Sequence, residues 1–232
     1  MISKTAHLGL SGVLRHEMRQ RAAAGHRQHL YFCVADHYEP YWGGAGTAQA
    51  RAIVAEWERR YREIASGHCD SAGRAPQHTY FYPEEEYDPA ILDRLAALRE
   101  AGLGDVEVHL HHDDDHAAAL HDKLRGFTER LHRDHGLLRR SSDGELRYAF
   151  IHGNWALDNS HPDGRWCGVD NELQVLVDTG CRVDMTMPSA PHGTQTRTVN
   201  SIYLPAAKRA LGSRTTAVAP CTLAPGDAAM NF

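Results

Sequence analysis

Short apolar segments alternate with amphipathic segments along most of the chain, and this alternation constrains the fold more than any other feature. The apolar segments have the length of β-strands, whereas the amphipathic segments repeat their apolar residues at helical spacing. Strands that alternate with helices form parallel sheets joined by right-handed crossovers, so we predict an α/β fold. The strands are expected at residues 29–35, 77–82, 106–111, 148–151 and 182–187, with a sixth considered at 198–204.

The local signals at strands and helix ends agree with this pattern. The segment 29–35 is almost entirely apolar, which is typical of a strand buried on both faces. Asp88 and Pro89 open the second predicted helix as N-cap and first-turn proline, and Gly102 ends it. The third helix ends at Gly136, and its apolar stripe consists of Leu120, Leu124, Phe127 and Leu131.

Length and composition are those of an ordinary folded protein, except for histidine. The chain has 232 residues, so we expect a single domain spanning 1–232, with a helical extension at 1–27 and an irregular tail at 205–232. The formal net charge is −5 and no stripe of Lys and Arg is present, which argues against nucleic-acid binding. The 17 histidines indicate metal binding or acid/base chemistry near neutral pH.

The cysteines and the first residues of the chain indicate in which cellular compartment we expect the protein. The five cysteines are odd in number and include no CxxC pair, so we interpret them as reduced thiols. Residues 1–14 are too short and polar for a secretory signal, and no later segment approaches a membrane span. We therefore expect a cytoplasmic protein without a membrane partner.

The segment 106–116 contains four histidines and four carboxylates within eleven residues. Successive side chains of a strand alternate between faces, so Glu107, His109 and His111 are expected on one face. Two imidazoles on one face can reach a single cation, and imidazole is the commonest metal ligand. This segment therefore predicts a metal site, with a solvated polar strand edge as the alternative.

Other polar side chains are predicted at equivalent places, in or just after a strand. In a barrel of parallel strands, this is the face where ligands and catalytic groups collect. Convergence of several segments on one face favours a site there, although loops are polar in any case. The groups concerned are Asp36 with His37, Glu84 to Glu86, His111 with His112, His152 with Asn154, and Asp184.

Four segments resemble a known family: 33–40 (CVADHYEP), 107–113 (EVHLHHD), 152–158 (HGNWALD) and 184–191 (DMTMPSAP). Through them the chain resembles the polysaccharide deacetylase superfamily, the NodB-homology domain, as a divergent branch, over about residues 28–204. The resemblance implies a distorted (β/α)7 TIM-like barrel of parallel strands. It also implies one divalent metal, usually zinc, bound by an Asp and two His, and hydrolysis of an acetyl group on a sugar.

The match to the family's metal motif leaves several ligand pairs open. The spacing His-x-x-x-His fits His111 with Asp115 or His112 with His116, whereas strand geometry offers His109 with His111. The first motif reads Asp-His where the family has two aspartates. Toward the C-terminus, we expect either a shortened barrel or one that is closed by an element from a partner chain.

The family resemblance and the strand alternation together predict which residues form the site. His111 is preferred over His112 as a ligand because it shares a strand face with His109, and Glu107 is expected to orient an imidazole or to be a surface glutamate. His37 is a ligand or a base, and His152 is the expected general acid. The expected metal ligands are Asp36, His109, His111 and His112. The expected catalytic residues are Asp36, His37 and His152, and the substrate-binding residues are Tyr82, Asn154, Trp155 and Asp184.

Three functions are compatible with the predicted fold and site residues. The first is a metal-dependent hydrolase that removes an acetyl or related acyl group from an amino sugar or similar amide. The alternatives are a catalytically degenerate barrel that binds carbohydrates or metabolites, and a metal-dependent phosphoesterase. The expected cofactor is one divalent metal, zinc first, with cobalt, nickel or iron as alternatives. The expected partners are a small-molecule or glycan substrate and, where the barrel closes by association, a second copy of the chain.

Overall fold

The computed structural model describes residues 30–187, 189 and 191–195, together with the backbone of 203–206 and 217–220. The predicted helical extension at 1–27 lies outside the described residues, as does most of the predicted tail. None of the helices within the described ranges combines the length and the apolar composition that crossing a membrane requires.

Five parallel strands form the central sheet, in the order β1-β2-β3-β4-β5. Consecutive order means that each crossover steps to the next strand in the same direction, so right-handed crossovers place all the helices on one face. In agreement, each helix packs against the next one along the chain. The strands are β1 (Val34–His37), β2 (His78–Pro83), β3 (Gly104–Leu110), β4 (Tyr148–His152) and β5 (Cys181–Asp184). The helices between them are α1 (Thr47–Ser66), α2 (Pro89–Glu100), α3 (Ala117–His135) and α4 (Glu172–Thr179).

The α/β class and the parallel sheet are confirmed, whereas closure into a barrel is not. Within the described residues β1 and β5 each pair on one side only, so the sheet is open. The backbone of Tyr203–Ala206 (β6) pairs antiparallel with Ala217–Pro220 (β7) in a separate two-stranded sheet. The strand considered at 198–204 overlaps β6 at its end but does not extend the parallel sheet, and the tail is not irregular throughout.

The first strand differs from its prediction in position and in burial. It runs from Val34 to His37, and Leu30, Tyr31 and Phe32 are 91%, 85% and 85% exposed. Pairing with β2 starts only at Val34, opposite His78, and among the described strands none covers the other edge of β1. The described part of this apolar run, residues 30–33, is therefore not a strand buried on both faces.

The core lies between the helices and one face of the sheet. The predicted stripe of α3 is buried there, and Gly136 ends that helix in the left-handed conformation, as expected. Asp88 caps α2 by accepting a hydrogen bond from the Ala90 N–H at 2.9 Å. The largest fully buried side chains include Tyr80, Tyr82, Phe150, Leu92, Leu95, Leu120 and Phe127.

Candidate functional site

Two clusters of metal-ligating side chains lie near the carboxyl ends of the strands, on opposite faces of the sheet. Leu110 and His152 pair in register and share the face that packs against the helices, whereas His109 and Ile151 share the other face. The first, which we call the open cluster, consists of His37, Glu39 and His109. The second, the closed cluster, consists of His112, His152, Cys167 and Glu172.

The open cluster is centred on the carboxylate of Glu39. Glu39 Oε1 lies 3.0 Å from Nε2 of His109 and 3.5 Å from Nδ1 of His37. The two imidazoles meet edge to face, with their centroids 4.5 Å apart. Burial opposes ionisation of Glu39, but its contacts with the neighbouring imidazoles His109, His37 and His111 outweigh burial and lower the pKa of Glu39 to about 2. The cluster therefore contains a carboxylate at neutral pH.

The orientation of His109 is fixed by the backbone of β4. Its Nδ1 lies 2.9 Å from the carbonyl oxygen of Ile151, and a carbonyl can only accept a hydrogen bond. The proton of the neutral ring is therefore on Nδ1, and Nε2 presents a lone pair to Glu39. Burial lowers the pKa of His109, which favours this neutral form. Two acceptors that face each other at 3.0 Å leave a place that either a second ring proton or a metal cation can fill.

His111 lies beside the open cluster and is held by Glu85. Its Nδ1 is 2.5 Å from Glu85 Oε1, and its Nε2 is 3.5 Å from Glu39 Oε1. The hydrogen bond that Glu85 accepts from the ring raises the pKa of His111. The ring lies against Gly153, where an added Cβ would come within 2.3 Å of the imidazole. The absence of a side chain at Gly153 therefore makes room for His111.

A cleft of about 650 Å³ opens onto these side chains. Its aromatic walls include Trp155 and Trp166, whose φ angles of +57° and +69° are in the left-handed region. Such backbone conformations are costly for a non-glycine residue and cluster at functional sites. The lining residues are His37, Glu39, Trp42, His111, Gly153, Asn154, Trp155, Trp166 and His192.

Some of the predicted residues meet in this cleft and some do not. His37, Asn154 and Trp155 line it, and the rings of His109 and His111 lie 4.7 Å apart, as the strand alternation predicted. Asp36 does not join them. It precedes His37 on β1 and so takes the opposite face, where it lies 3.7 Å from His78. The acidic group predicted at Asp36 is instead supplied by Glu39.

Tyr82 and Asp184 were predicted to bind substrate, and the structure places both away from the cleft. Tyr82 is fully buried on the helix side of the sheet, and its hydroxyl donates to the Glu86 carbonyl at 2.7 Å. Asp184 accepts a hydrogen bond from the Thr186 hydroxyl at 2.6 Å. Burial raises the pKa of Asp184 to about 7. Both positions follow from strand alternation, because these residues share the face that packs on the helices.

The closed cluster is buried completely and could hold a metal ion. His112 Nε2 lies 3.1 Å from Glu172 Oε1, and Cys167 Sγ lies 3.3 Å from Glu172 Oε2. His112 and His152 were predicted as ligand and general acid of the site that contains His109. The structure assigns both to this second cluster, behind the sheet from the cleft, because they share a face with Leu110 rather than with His109.

Two further predicted ligands or partners have local structural roles. His116 is the N-cap of α3 and accepts from the Ala119 N–H at 3.2 Å, so it is not paired with His112. Glu107 accepts from the Ala149 N–H, and burial raises its pKa to about 8. It therefore supports β4 rather than orienting an imidazole.

Sequence reasoning missed Glu39, Cys167 and Glu172, and it placed Glu85 near the site without giving it a role there. Glu39 stands two residues after His37, the same spacing that singled out His109 and His111, so alternation beyond the strand end could have found it. Glu85 belongs to the acidic run 84–86, which resembles a solvated loop. Nothing local distinguishes Cys167 or Glu172, because tertiary packing alone brings them to His112.

No family model, no curated protein and no solved structure matches the chain. The site must therefore be interpreted from its own geometry. That geometry comprises one set of potential metal ligands that opens onto a cleft and a second set that is buried on the other face of the sheet.

Proposed function

We propose that the protein is a metal-dependent hydrolase that removes an acetyl or related acyl group from an amino sugar or a similar small amide. In this proposal His37, Glu39 and His109 bind a divalent metal, zinc first. Three protein ligands with one side facing a cleft are the arrangement found in catalytic zinc sites, which keep a position for water or substrate.

The observation that carries the proposal is the pair of acceptors at Glu39 and His109. The Ile151 carbonyl accepts a hydrogen bond from Nδ1 of His109. The neutral ring therefore carries its proton on Nδ1 and directs the lone pair of Nε2 at the Glu39 carboxylate, 3.0 Å away. In the partly buried site, a cation relieves the repulsion between these two groups. Two nitrogens and one carboxylate oxygen are a donor set that suits zinc and its neighbours in the transition series.

When bound, such a metal polarises a carbonyl group and lowers the pKa of a coordinated water. The chain itself supplies the group for proton transfer. His111 is held through Nδ1 by Glu85 and directs Nε2 toward the cleft. Because Glu85 raises its pKa, the protonated form of His111 is favoured, and this form can deliver a proton to a leaving amine.

The cleft determines which substrates fit. Its volume of about 650 Å³ suits a small molecule rather than a folded partner. Trp42, Trp155 and Trp166 offer flat apolar faces, and the Asn154 side chain adds a polar group at the wall. Aromatic faces beside polar groups suit a sugar ring that carries an amide.

The experiment is an activity screen of metal-free and zinc-loaded protein on N-acetylated amino sugars, simple amides and phosphate esters. We expect zinc-dependent release of acetate from the sugar amides. His109→Gln should lose the activity together with the metal of the open cluster, whereas His121→Gln, a matched change on the surface of α3, should keep both. Hydrolysis of phosphate esters alone would favour the phosphoesterase, and glycan binding without turnover would favour a binding module.

A further inference from the structure

We propose that the closed cluster is a second metal site, a structural zinc site bound by His112, His152, Cys167 and Glu172. It is separate from the metal of the proposed hydrolase and does not depend on that function. Its role is to join the ends of β3 and β4 to the start of α4.

The distances within the closed cluster are within a few tenths of an ångström to about 1 Å of those in a tetrahedral zinc site. Zinc with bonds of about 2.0–2.3 Å holds its ligand atoms about 3.3–3.8 Å apart. Glu172 Oε1 lies 3.1 Å from His112 Nε2 and 3.9 Å from His152 Nε2. All four candidate ligand atoms lie within 4.8 Å of one another.

An unpartnered polar atom points into the cluster. His152 is fully buried, and within the described part of the chain its Nε2 has no hydrogen-bond partner. A buried nitrogen left without a partner costs free energy, so such atoms call for a ligand. At 3.9 Å, Glu172 is too far to serve as that partner, but the distance is close to the separation of two ligands of one zinc ion.

The loop that carries Cys167 is fixed against the end of β3. The Cys167 carbonyl accepts from the Asp115 N–H at 3.1 Å, and Asp113 accepts from the Trp166 N–H at 2.5 Å. Gly168 has a φ of +89°, and a Cβ there would come within 2.5 Å of the Asp115 nitrogen. The thiol is therefore placed beside His112 by the backbone, before any metal binds.

Carboxylate and backbone groups lie behind the ligands. Asp115 Oδ2 lies 3.5 Å from His112 Nδ1, on the far side of the ligating imidazole, and the two atoms are not hydrogen-bonded. Glu172 Oε2 accepts from the Asp158 N–H at 2.7 Å, which leaves Oε1 facing the histidines. A thiolate in the set favours zinc over magnesium or calcium.

The burial of the four ligands in the closed cluster indicates what a metal bound there would do. All four side chains are buried, and none of them lines the cleft. Four protein ligands without an open position form a structural site rather than a catalytic one. Its metal is therefore expected to stabilise the fold and not to contact substrate.

One consequence is specific to His152. The Asn154 N–H now donates to His152 Nδ1 at 3.2 Å, which requires the ring proton on Nε2. Coordination through Nε2 requires the proton on Nδ1, so this hydrogen bond must open when the site is filled. We expect the amide resonance of Asn154 to shift on zinc loading.

The test begins with the full chain stripped of metal and reloaded with cobalt(II) as a spectroscopic substitute for zinc. We expect a thiolate-to-cobalt charge-transfer absorption in the near ultraviolet, which is lost in Cys167→Ser and kept in Cys181→Ser. Zinc analysis should give two ions per chain in the wild type and one in Cys167→Ser. His109→Gln should also bind one zinc ion per chain, and its cobalt-loaded form should keep the thiolate absorption.

Stability gives an independent readout. Zinc should raise the melting temperature of the metal-free wild type and of Cys181→Ser, but not that of Cys167→Ser. Should Cys167→Ser fail to fold, the cobalt spectrum of the wild type decides alone. A cobalt-loaded wild type without thiolate absorption, or a Cys167→Ser that keeps two zinc ions, overturns the second site while leaving the proposed hydrolase untouched.

Discussion

The Glu39 carboxylate lies 3.0 Å from Nε2 of His109, a contact that joins the ends of two strands that are not neighbours in the sheet. Glu39 follows β1 and His109 belongs to β3, so the two side chains meet across the carboxyl end of β2. Ile151 on β4 fixes the imidazole from behind. Segments at four adjacent strands therefore contribute to one small site, which is why its geometry depends on the intact sheet.

Replacing Glu39 with Gln should weaken metal binding at the open cluster. The amide keeps the shape of the side chain but removes the charge that faces His37 and His109. Loss of a group that orients a ligand typically costs about 10–100-fold in metal affinity, and loss of a ligand should cost at least that much. Zinc titration by calorimetry measures the change, with Glu63→Gln on the exposed surface of α1 as the matched control. Equal affinities in the two variants would contradict the role of Glu39.

Gly153→Ala should impair activity while leaving the fold nearly intact. The new Cβ would lie 2.3 Å from the His111 ring and must displace it. A displacement of about 1 Å at a catalytic group can cost about 100-fold in rate. Gly126→Ala is the control, because Gly126 lies within α3 with open space around its Cα, and alanine there should stabilise the helix by about 0.5–1 kcal/mol. Full activity of Gly153→Ala, measured beside its melting temperature, would show that the position of His111 is unimportant.

Glu85→Gln should lower the pKa of His111. The hydrogen bond and charge of Glu85 favour the protonated imidazole, so their removal favours the neutral form. Histidine resonances followed by NMR across a pH titration of metal-free protein measure this pKa directly. Because a general acid acts in its protonated form, the alkaline limb of the pH profile of the zinc-loaded enzyme, which His111 would control, should move in the same direction. An unchanged titration of His111 would argue against the pairing.

Asp184→Asn should change how stability depends on pH. The folded-state pKa of Asp184 is about 7, above its value of about 3.9 in an unfolded chain. Between these values the folded state keeps a proton that the unfolded state has lost, so wild-type stability falls as pH rises from about 4 to 7. The contribution is at most about 1.4 kcal/mol per pH unit.

The asparagine variant lacks this contribution and can still accept the Thr186 hydrogen bond. Its free energy of unfolding relative to the wild type should therefore increase from pH 5 to pH 7.5. Urea unfolding at the two pH values gives the comparison, and groups that titrate in both proteins cancel in the difference. Parallel pH profiles would show that Asp184 titrates normally in the folded state.

Local features of the fold could be predicted from the sequence, because they depend on short-range rules. The stripe of Leu120 to Leu131, the cap at Asp88 and the glycine stop at Gly136 are all as expected. The first strand could not be placed, because an apolar run at 29–33 looks the same whether or not a second strand covers it. Closure of the sheet also depends on long-range pairing that no local pattern encodes.

The candidate site was partly predictable for the same reason. Alternation along β3 brought His109 and His111 together in the prediction and in the structure. The same rule, applied to β1, places Asp36 and His37 on opposite faces, yet the family resemblance favoured Asp36. The division of the histidines into two sites could not be foreseen, because Cys167 and Glu172 reach His112 only through packing of the loop before α4.

The central claim, a metal held by His37, Glu39 and His109, is tested most directly by anomalous scattering from zinc-soaked crystals, measured on both sides of the zinc absorption edge. The account predicts an anomalous peak between these three side chains, at about 2.0–2.2 Å from the Glu39 oxygen and the two imidazole nitrogens. Crystals whose zinc peaks lie only at the closed cluster or on the surface, with none beside Glu39, would contradict it.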